Sequence, residues 1–241
     1  MRKIGIVCDL SPESTILYYR TIVDEYRKRY HKQDYPVIIL YSVGFDQFRE
    51  YWRSKKYEKV IELLLKAVRA LGRAGADFAL ISANTPHMFY DEVEARSPIP
   101  LLNVIDCLAE VAKMDGISKI GLLGTKYTLT LGFYSERLRK HGLEAFVPEK
   151  EDIDIVNDII FNELTWGIIR EGSRRKVMKI MEKLKEKGSE AVALACTELP
   201  LLFRDTREIY GMKLYDTAKI HAVKALDYAL GKNACFKTAE I

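Results

Sequence analysis

Cys196, Thr197 and Glu198 follow the apolar run AVALA at 191–195 and place a thiol, a hydroxyl and a carboxyl side by side. Between them, these groups can hold, donate and accept a proton. A thiolate is the basic form of cysteine; its unperturbed pKa of about 8.5 moves toward neutrality near helix N-termini or hydrogen-bond donors. A near copy of the segment occurs earlier, with LISANTPHMF at 80–89 against LACTELPLLF at 194–203, and there Ala83 stands where the later copy has Cys196. Alanine has no proton to exchange, so a site assembled from both copies holds a single sulfur. Asn84, Thr85 and Thr197 are short donors and acceptors of the kind that hold a carboxylate, and the helical segments after them would aim backbone amides at the same place. His87, after ANTP, could orient a carboxylate, relay a proton or cap the local turn. Glu198 could orient Thr197, act as a second acid or complement a helix dipole.

The elements that must carry these residues are short aliphatic runs separated by longer helical patterns. KIGIV, VIILYS, FALIS, LLNVI, KIGLLG, EAFV, AVALA and KLYD are the strand candidates. Such continuous apolar runs fit parallel strands covered on both faces by helices, an α/β fold. The first helix start is marked by Ser11 as cap, Pro12 at the first helical position and Glu13 at the positive end of the dipole.

Comparison of the chain with itself shows an internal repeat. KIGIV at residue 3 matches KIGLL at residue 119, and the same spacing pairs Tyr18 with Tyr134. GADFALISANTPH from Gly75 pairs with GSEAVALACTELP from Gly188, and that spacing pairs Asn103 with Asp216. Four landmarks in the same order imply two copies of one α/β unit, the small drift in spacing being absorbed by a loop. The expected architecture is two similar three-layer α/β/α lobes with parallel sheets related by a pseudo-twofold axis. The first lobe is expected to span 1–102 plus 217–241 and the second 103–216. Ligands of open α/β sheets bind outside the carboxyl ends of the strands, so the loops at 83–85 and 196–198 would meet a small ligand in a cleft. Equivalent groups on opposite sides of a carbon suit removal of a proton from one face and delivery to the other, which is stereoinversion.

The remaining composition excludes more than it suggests. A balance of 38 basic and 34 acidic residues leaves +4, too small and scattered for a nucleic-acid partner. The basic run RRKVMKIMEKLKEK reads as a solvated amphipathic helix with Val177, Ile180, Met181 and Leu184 inward. No segment has the roughly 20 apolar residues of a membrane span, and Asp9 interrupts the only signal-like start, so a cytoplasmic location without membrane partners is expected. Cys8, Cys107, Cys196 and Cys235 lie far apart, suiting reduced thiols, and neither they nor the four histidines have metal-ligand spacing. No metal is expected.

SANTPH with ACTELPLL, the opening IGIVCDLSPESTILYYR, GLLGTKYT and the late YDTAKIHA resemble the aspartate/glutamate (hydantoin) racemase superfamily, nearest to its aspartate and broad-specificity amino-acid racemases. The resemblance covers nearly the whole chain. It implies a pyridoxal-independent racemase that needs no cofactor, two similar α/β domains, a pair of facing cysteines and a homodimer. Carried over, Cys196 is the second-domain base, and Ala83 occupies the position of its missing partner thiol. Ser11, Asn84, Thr85, Thr125, Thr128, Thr197 and Glu198 fall at substrate-binding positions, with Cys8, Asp9 and His87 as auxiliary candidates. Family members often read Gly-Gly-Met before Ser-Pro-Glu-Ser-Thr; this chain reads Cys8, Asp9, Leu10, which removes backbone freedom and adds a charge. A lysine found in some aspartate-specific members is replaced near Thr165, while Arg49 lies near a strand end where it could meet an acidic side chain.

Three functions fit these residues. The first is an amino-acid racemase or epimerase in which water, Thr85, His87 or Cys8 replaces the absent thiol. The second is a weak or inactive homologue that binds an amino acid or dicarboxylate. The third is a one-thiol decarboxylase or isomerase of a small dicarboxylate, as in the related arylmalonate decarboxylases.

Overall fold

The computed structural model describes residues 1–8, 12–31, 33–204 and 206–232. Asp9, Ser11 and Cys235 lie outside them, so the expectations for the Ser11 cap and substrate contact and for Asp9 are not addressed by the structure. Two compact units are present: Met1–Cys107 with the segment from His221 onward, and Leu108–Ile220.

In the first unit, β1 (Ile4–Cys8), β2 (Ile38–Ser42), β3 (Phe78–Ile81) and β4 (Leu101–Leu102) form a parallel sheet in the order β2-β1-β3-β4. Every residue of β1 and β3 is buried, as expected of parallel strands clothed on both faces. The helices are α1 (Pro12–Tyr30), α2 (Phe45–Arg53), α3 (Tyr57–Arg73), α4 (Tyr90–Ala95) and α5 (Val104–Met114). The stripe of α3, Val60, Ile61, Leu64, Leu65, Val68 and Leu71, recurs at helical spacing and joins Val7, Ala79 and Ile81 in one core.

In the second unit, β5 (Lys119–Gly124), β6 (Glu144–Phe146), β7 (Ala191–Ala195), β8 (Glu208–Ile209) and β9 (Met212–Asp216) form a sheet in the order β6-β5-β7-β9-β8. Its helices are α6 (Lys126–Thr130), α7 (Phe133–Lys140), α8 (Lys150–Asn162) and α9 (Glu171–Glu186), with α10 (Thr217–Ala229) leaving β9. Val177, Ile180, Met181 and Leu184 of α9 are buried in this core, so the basic run is an amphipathic helix.

The repeat read from the sequence reappears in the ladders. In β1 and β3, Ile4 faces Phe78; in β5 and β7, Ile120 faces Ala191, the same pairing displaced by the two sequence spacings. Ala79 opposite Leu101 becomes Val192 opposite Leu214 in the same way. The approach to the third strand is copied as well. The α3 C-terminus closes with Gly75 at φ +92° and a bond from Ala76 N–H to Leu71 carbonyl; α9 closes with Gly188 at φ +101° and Ser189 N–H to Leu184 carbonyl. An acid then clamps the start of the first strand: Asp77 takes the Lys3 amide at 2.6 Å, and Glu190 the Lys119 amide at 3.0 Å. Tyr18 and Tyr134, paired by the repeat, are both core residues at 1% and 0% exposure.

Two local expectations are corrected. LLNVI is not one strand: β4 ends at Leu102 because the side-chain Oδ1 of Asn103 accepts the amides of Ile105 at 2.7 Å and Asp106 at 3.3 Å and starts α5. The second sheet is not wholly parallel either. β8 pairs antiparallel with β9 through a two-residue turn in which Tyr210 and Gly211 both have positive φ, the turn whose twist suits a hairpin.

Candidate active site

The second unit gathers its predicted residues at the carboxyl ends of β5 and β7, which are neighbours with Gly124 opposite Ala195. Thr125 is the N-cap of α6, and its hydroxyl lies 3.1 Å from that of Thr128 and accepts the Thr128 amide. At the end of β7 the chain turns into a short 3-10 helix, Leu199–Phe203, and the turn carries Cys196, Thr197 and Glu198. Cys196 donates its S–H to Glu198 Oε2 at 3.0 Å, and the Thr197 hydroxyl donates to the same oxygen at 2.8 Å. Glu198 therefore orients Thr197 and also accepts from the thiol.

Cys196 is 6% exposed. Burial pushes its pKa well above the ordinary thiol value, and the neighbouring Glu198 charge raises it further, while the backbone N–H groups of Glu198 and Leu199 bond to the sulfur and oppose the rise. The resting group is a thiol hydrogen-bonded to the Glu198 side chain.

In the first unit, the end of β3 leads through Ser82, Ala83 and Asn84 into the 3-10 helix Thr85–Phe89. Ser82 fastens this loop by donating to the Val7 carbonyl at 3.2 Å, while its own carbonyl accepts from Ser14 at 2.9 Å. Ala83 and Thr85 are half-buried and Asn84 is buried. His87 Nδ1 lies 2.8 Å from the Ala83 carbonyl, and Nε2 receives the Val104 amide at 3.3 Å. Of the roles open to His87, this geometry is the structural one: it caps the turn. Cys8, at the end of β1, is 1% exposed with its sulfur 3.9 Å from the Ser42 hydroxyl, which makes it a packed residue of the strand.

Two further candidates are placed elsewhere. Arg49 is paired with Asp46 at 2.9 Å and lies over the Phe45 ring, so its charge is met within α2. The Thr165 hydroxyl donates to the Phe161 carbonyl at the exposed end of α8. Among the described residues no group of three or more His, Cys, Asp or Glu side chains is arranged to hold a metal ion.

A protein-family model described as Asp/Glu/Hydantoin racemase matches residues 8–225 of this sequence. The chain belongs to that family. A Yersinia pestis protein provisionally named an Asp/Glu racemase has a crystal structure 38% identical in sequence, with a TM-score of 0.90 over 95% of this chain and 100% of the other. PH1733 of Pyrococcus horikoshii OT3, an aspartate racemase homologue, is 37% identical with a TM-score of 0.85 over the same shares. The broad specificity amino-acid racemase RacX of Bacillus subtilis is 23% identical over 203 residues, 81% of this chain and 85% of RacX. By the internal repeat, Ala83 after β3 stands where Cys196 stands after β7.

His221 escaped the sequence reading. It is fully buried on α10, between the Tyr18 hydroxyl at 3.0 Å and the Leu102 carbonyl at 3.1 Å. The available signal was its place on the inner face of α10, where Thr217, Ala218, His221, Ala222 and Ala225 follow helical spacing and all are buried. A polar ring on such a stripe needs dedicated partners.

Proposed function

We propose that this chain is an amino-acid racemase that works with one thiol, Cys196, and without a bound cofactor. The observation that carries this reading is the Cys196 thiol donating to Glu198 Oε2 at 3.0 Å at the carboxyl end of β7. Glu198 takes the thiol proton, and the thiolate removes the proton from the substrate α-carbon. The charge released passes into the substrate carboxylate, where hydroxyl and amide donors from Asn84, Thr85, Thr125, Thr128 and Thr197 stabilise it. Return of the proton from Cys196 restores the starting enantiomer. Delivery of a proton by water to the other face gives the mirror image, and the surplus proton on the Cys196–Glu198 pair leaves to solvent. Water takes this part because Ala83 has no ionisable proton, Cys8 is packed away, His87 is committed to backbone groups and Thr85 is placed on the carboxylate.

Incubation with L- and D-amino acids in heavy water tests the reading, following the α-proton signal and optical rotation together. One enantiomer is expected to exchange faster than it inverts. Cys196→Ala should lower exchange by about 10³-fold, the usual scale of a lost general base. Exchange in Cys196→Ala equal to that of the natural chain would remove the thiol from the mechanism. Ala83→Cys, which restores a second thiol, is expected to raise inversion relative to exchange by about tenfold; an unchanged ratio in a folded protein rejects residue 83 as the missing partner's position.

A further inference from the structure

Three residues at the end of β4 are each read by a buried ring. The Tyr90 hydroxyl donates to the Leu101 carbonyl at 2.7 Å, His221 Nε2 lies 3.1 Å from the Leu102 carbonyl, and His87 Nε2 accepts from the Val104 amide. A carbonyl can only accept, so His221 carries its proton on Nε2 and takes the Tyr18 hydroxyl proton at Nδ1. A backbone amide can only donate, so His87 has its proton on Nδ1 and gives it to the Ala83 carbonyl. The amide bond leaves His87 neutral, and burial keeps His221 neutral too, so the two imidazoles are opposite tautomers. They meet edge to face with centroids 5.7 Å apart, and Tyr90 stacks on His87 at 6.0 Å.

We propose that His87 and His221 are a coupled pair of positioning residues, fixing the loop of Ala83, Asn84 and Thr85 against the end of β4 so that its donors hold the substrate carboxylate. The inference rests on the racemase reading and adds the parts that aim the first unit's half of the site. The chain from Tyr18 through His221 reaches the Leu102 carbonyl; that from Val104 through His87 reaches the Ala83 carbonyl. Burial also holds the His221 pKa well below its ordinary value, with nearby His87 acting in the same direction, which keeps the ring in the neutral form the bonds require. Among its described residues the second unit has no equivalent: the repeat places Pro200 where His87 stands, and the end of β7 is tied by the Thr217 hydroxyl to the Leu194 carbonyl at 3.0 Å.

Nitrogen-15 spectroscopy of the histidine rings at about pH 7 reads the tautomers without any turnover. The expected result is an Nδ1–H form for His87 and an Nε2–H form for His221; an imidazolium or the reverse tautomer at either residue overturns the pairing. His221→Gln keeps a donor for Leu102 and an acceptor for Tyr18, whereas His221→Phe keeps the ring and loses both. His221→Phe should move the backbone amide resonances of Asn84 and Thr85 and raise KM for the racemised amino acid about tenfold with kcat little changed. His221→Gln should restore both. Unmoved resonances in folded His221→Phe, or equal effects of the two substitutions, refute the positioning role. If the natural chain exchanges no amino acid while tautomers and resonances behave as stated, the racemase reading fails and the loop's support stands. If His221→Phe does not fold, the tautomers and His221→Gln still decide.

Discussion

Cys196 donates its thiol proton to Glu198 Oε2 at 3.0 Å, and this contact sets the pH dependence expected of the thiol. Because burial first and the Glu198 charge second hold the thiol protonated, the thiolate fraction, and with it racemisation, should climb with pH through the alkaline range. Glu198→Gln removes one of the two causes. Alkylation of Cys196 followed by mass spectrometry should then reach its half-point at lower pH, yet still above the roughly 8.5 of a free thiol, since burial remains. A half-point that stays or rises would mean that Glu198 does not repel the thiolate. The same substitution should slow racemisation by about 10²-fold through loss of the proton acceptor. At this scale the sequence was legible where partners are adjacent. Cys196, Thr197 and Glu198 could be read as a group because they are consecutive, whereas His221 could not, its partners lying 203 and 119 residues away. His87 was visible, but its role was not, because the amide that fills its second nitrogen belongs to another element.

The secondary elements explain which patterns survive translation into structure. Gly5 and Gly121 occupy equivalent places in β1 and β5, and each is closely packed where the preceding helix gives way to the third strand. A Cβ on Gly5 would lie 3.1 Å from Ala76 Cβ and from the Phe78 carbonyl oxygen; on Gly121 it would lie 3.0 Å from Leu184 Cδ1. Gly5→Ala should destabilise the protein by about 1–3 kcal/mol in urea unfolding, the usual cost of overpacking a core. Gly121→Ala should cost less, because its two nearest contacts, Leu184 Cδ1 at 3.0 Å and Ser189 Oγ at 3.1 Å, are side-chain ends, whereas Gly5 meets a backbone carbonyl and an alanine Cβ. An equal or reversed order would show that helix and sheet are looser than they are drawn. Continuous apolar runs identified seven of the eight expected strands along their length because buried parallel strands need no alternation. LLNVI misled because Val104 and Ile105 prefer strands by themselves, and only the Asn103 side-chain cap and burial of the helix turn them into the start of α5. β8 was missed because two residues carry too little pattern; Tyr210–Gly211 between REI and MKLY was the available hint.

At the scale of the whole chain, acid is the expected weakness. His221 is neutral when folded, with its pKa depressed by burial and by His87, so protons enter the unfolded state first. The stability it contributes is full above the unfolded histidine pKa of about 6.5 and falls as pH drops toward the folded value, by at most about 1.4 kcal/mol per pH unit for one proton. Urea midpoints measured down this range should decline less steeply in His221→Gln than in the natural chain; parallel lines would assign the acid sensitivity to other groups. The duplication was the most legible feature at this scale, because glycines, capping residues and strand starts recur together. The arrangement of donors around the loops was not, since hydroxyl and imidazole partners depend on packing that periodicity does not encode.

The divisions between the units fall after Cys107 and before His221, inside α5 and α10 respectively. Neither half is therefore a portable cassette. A gene split at those points would sever two helices and expose the broken turns, so fragment complementation or domain exchange in this protein has to cut elsewhere.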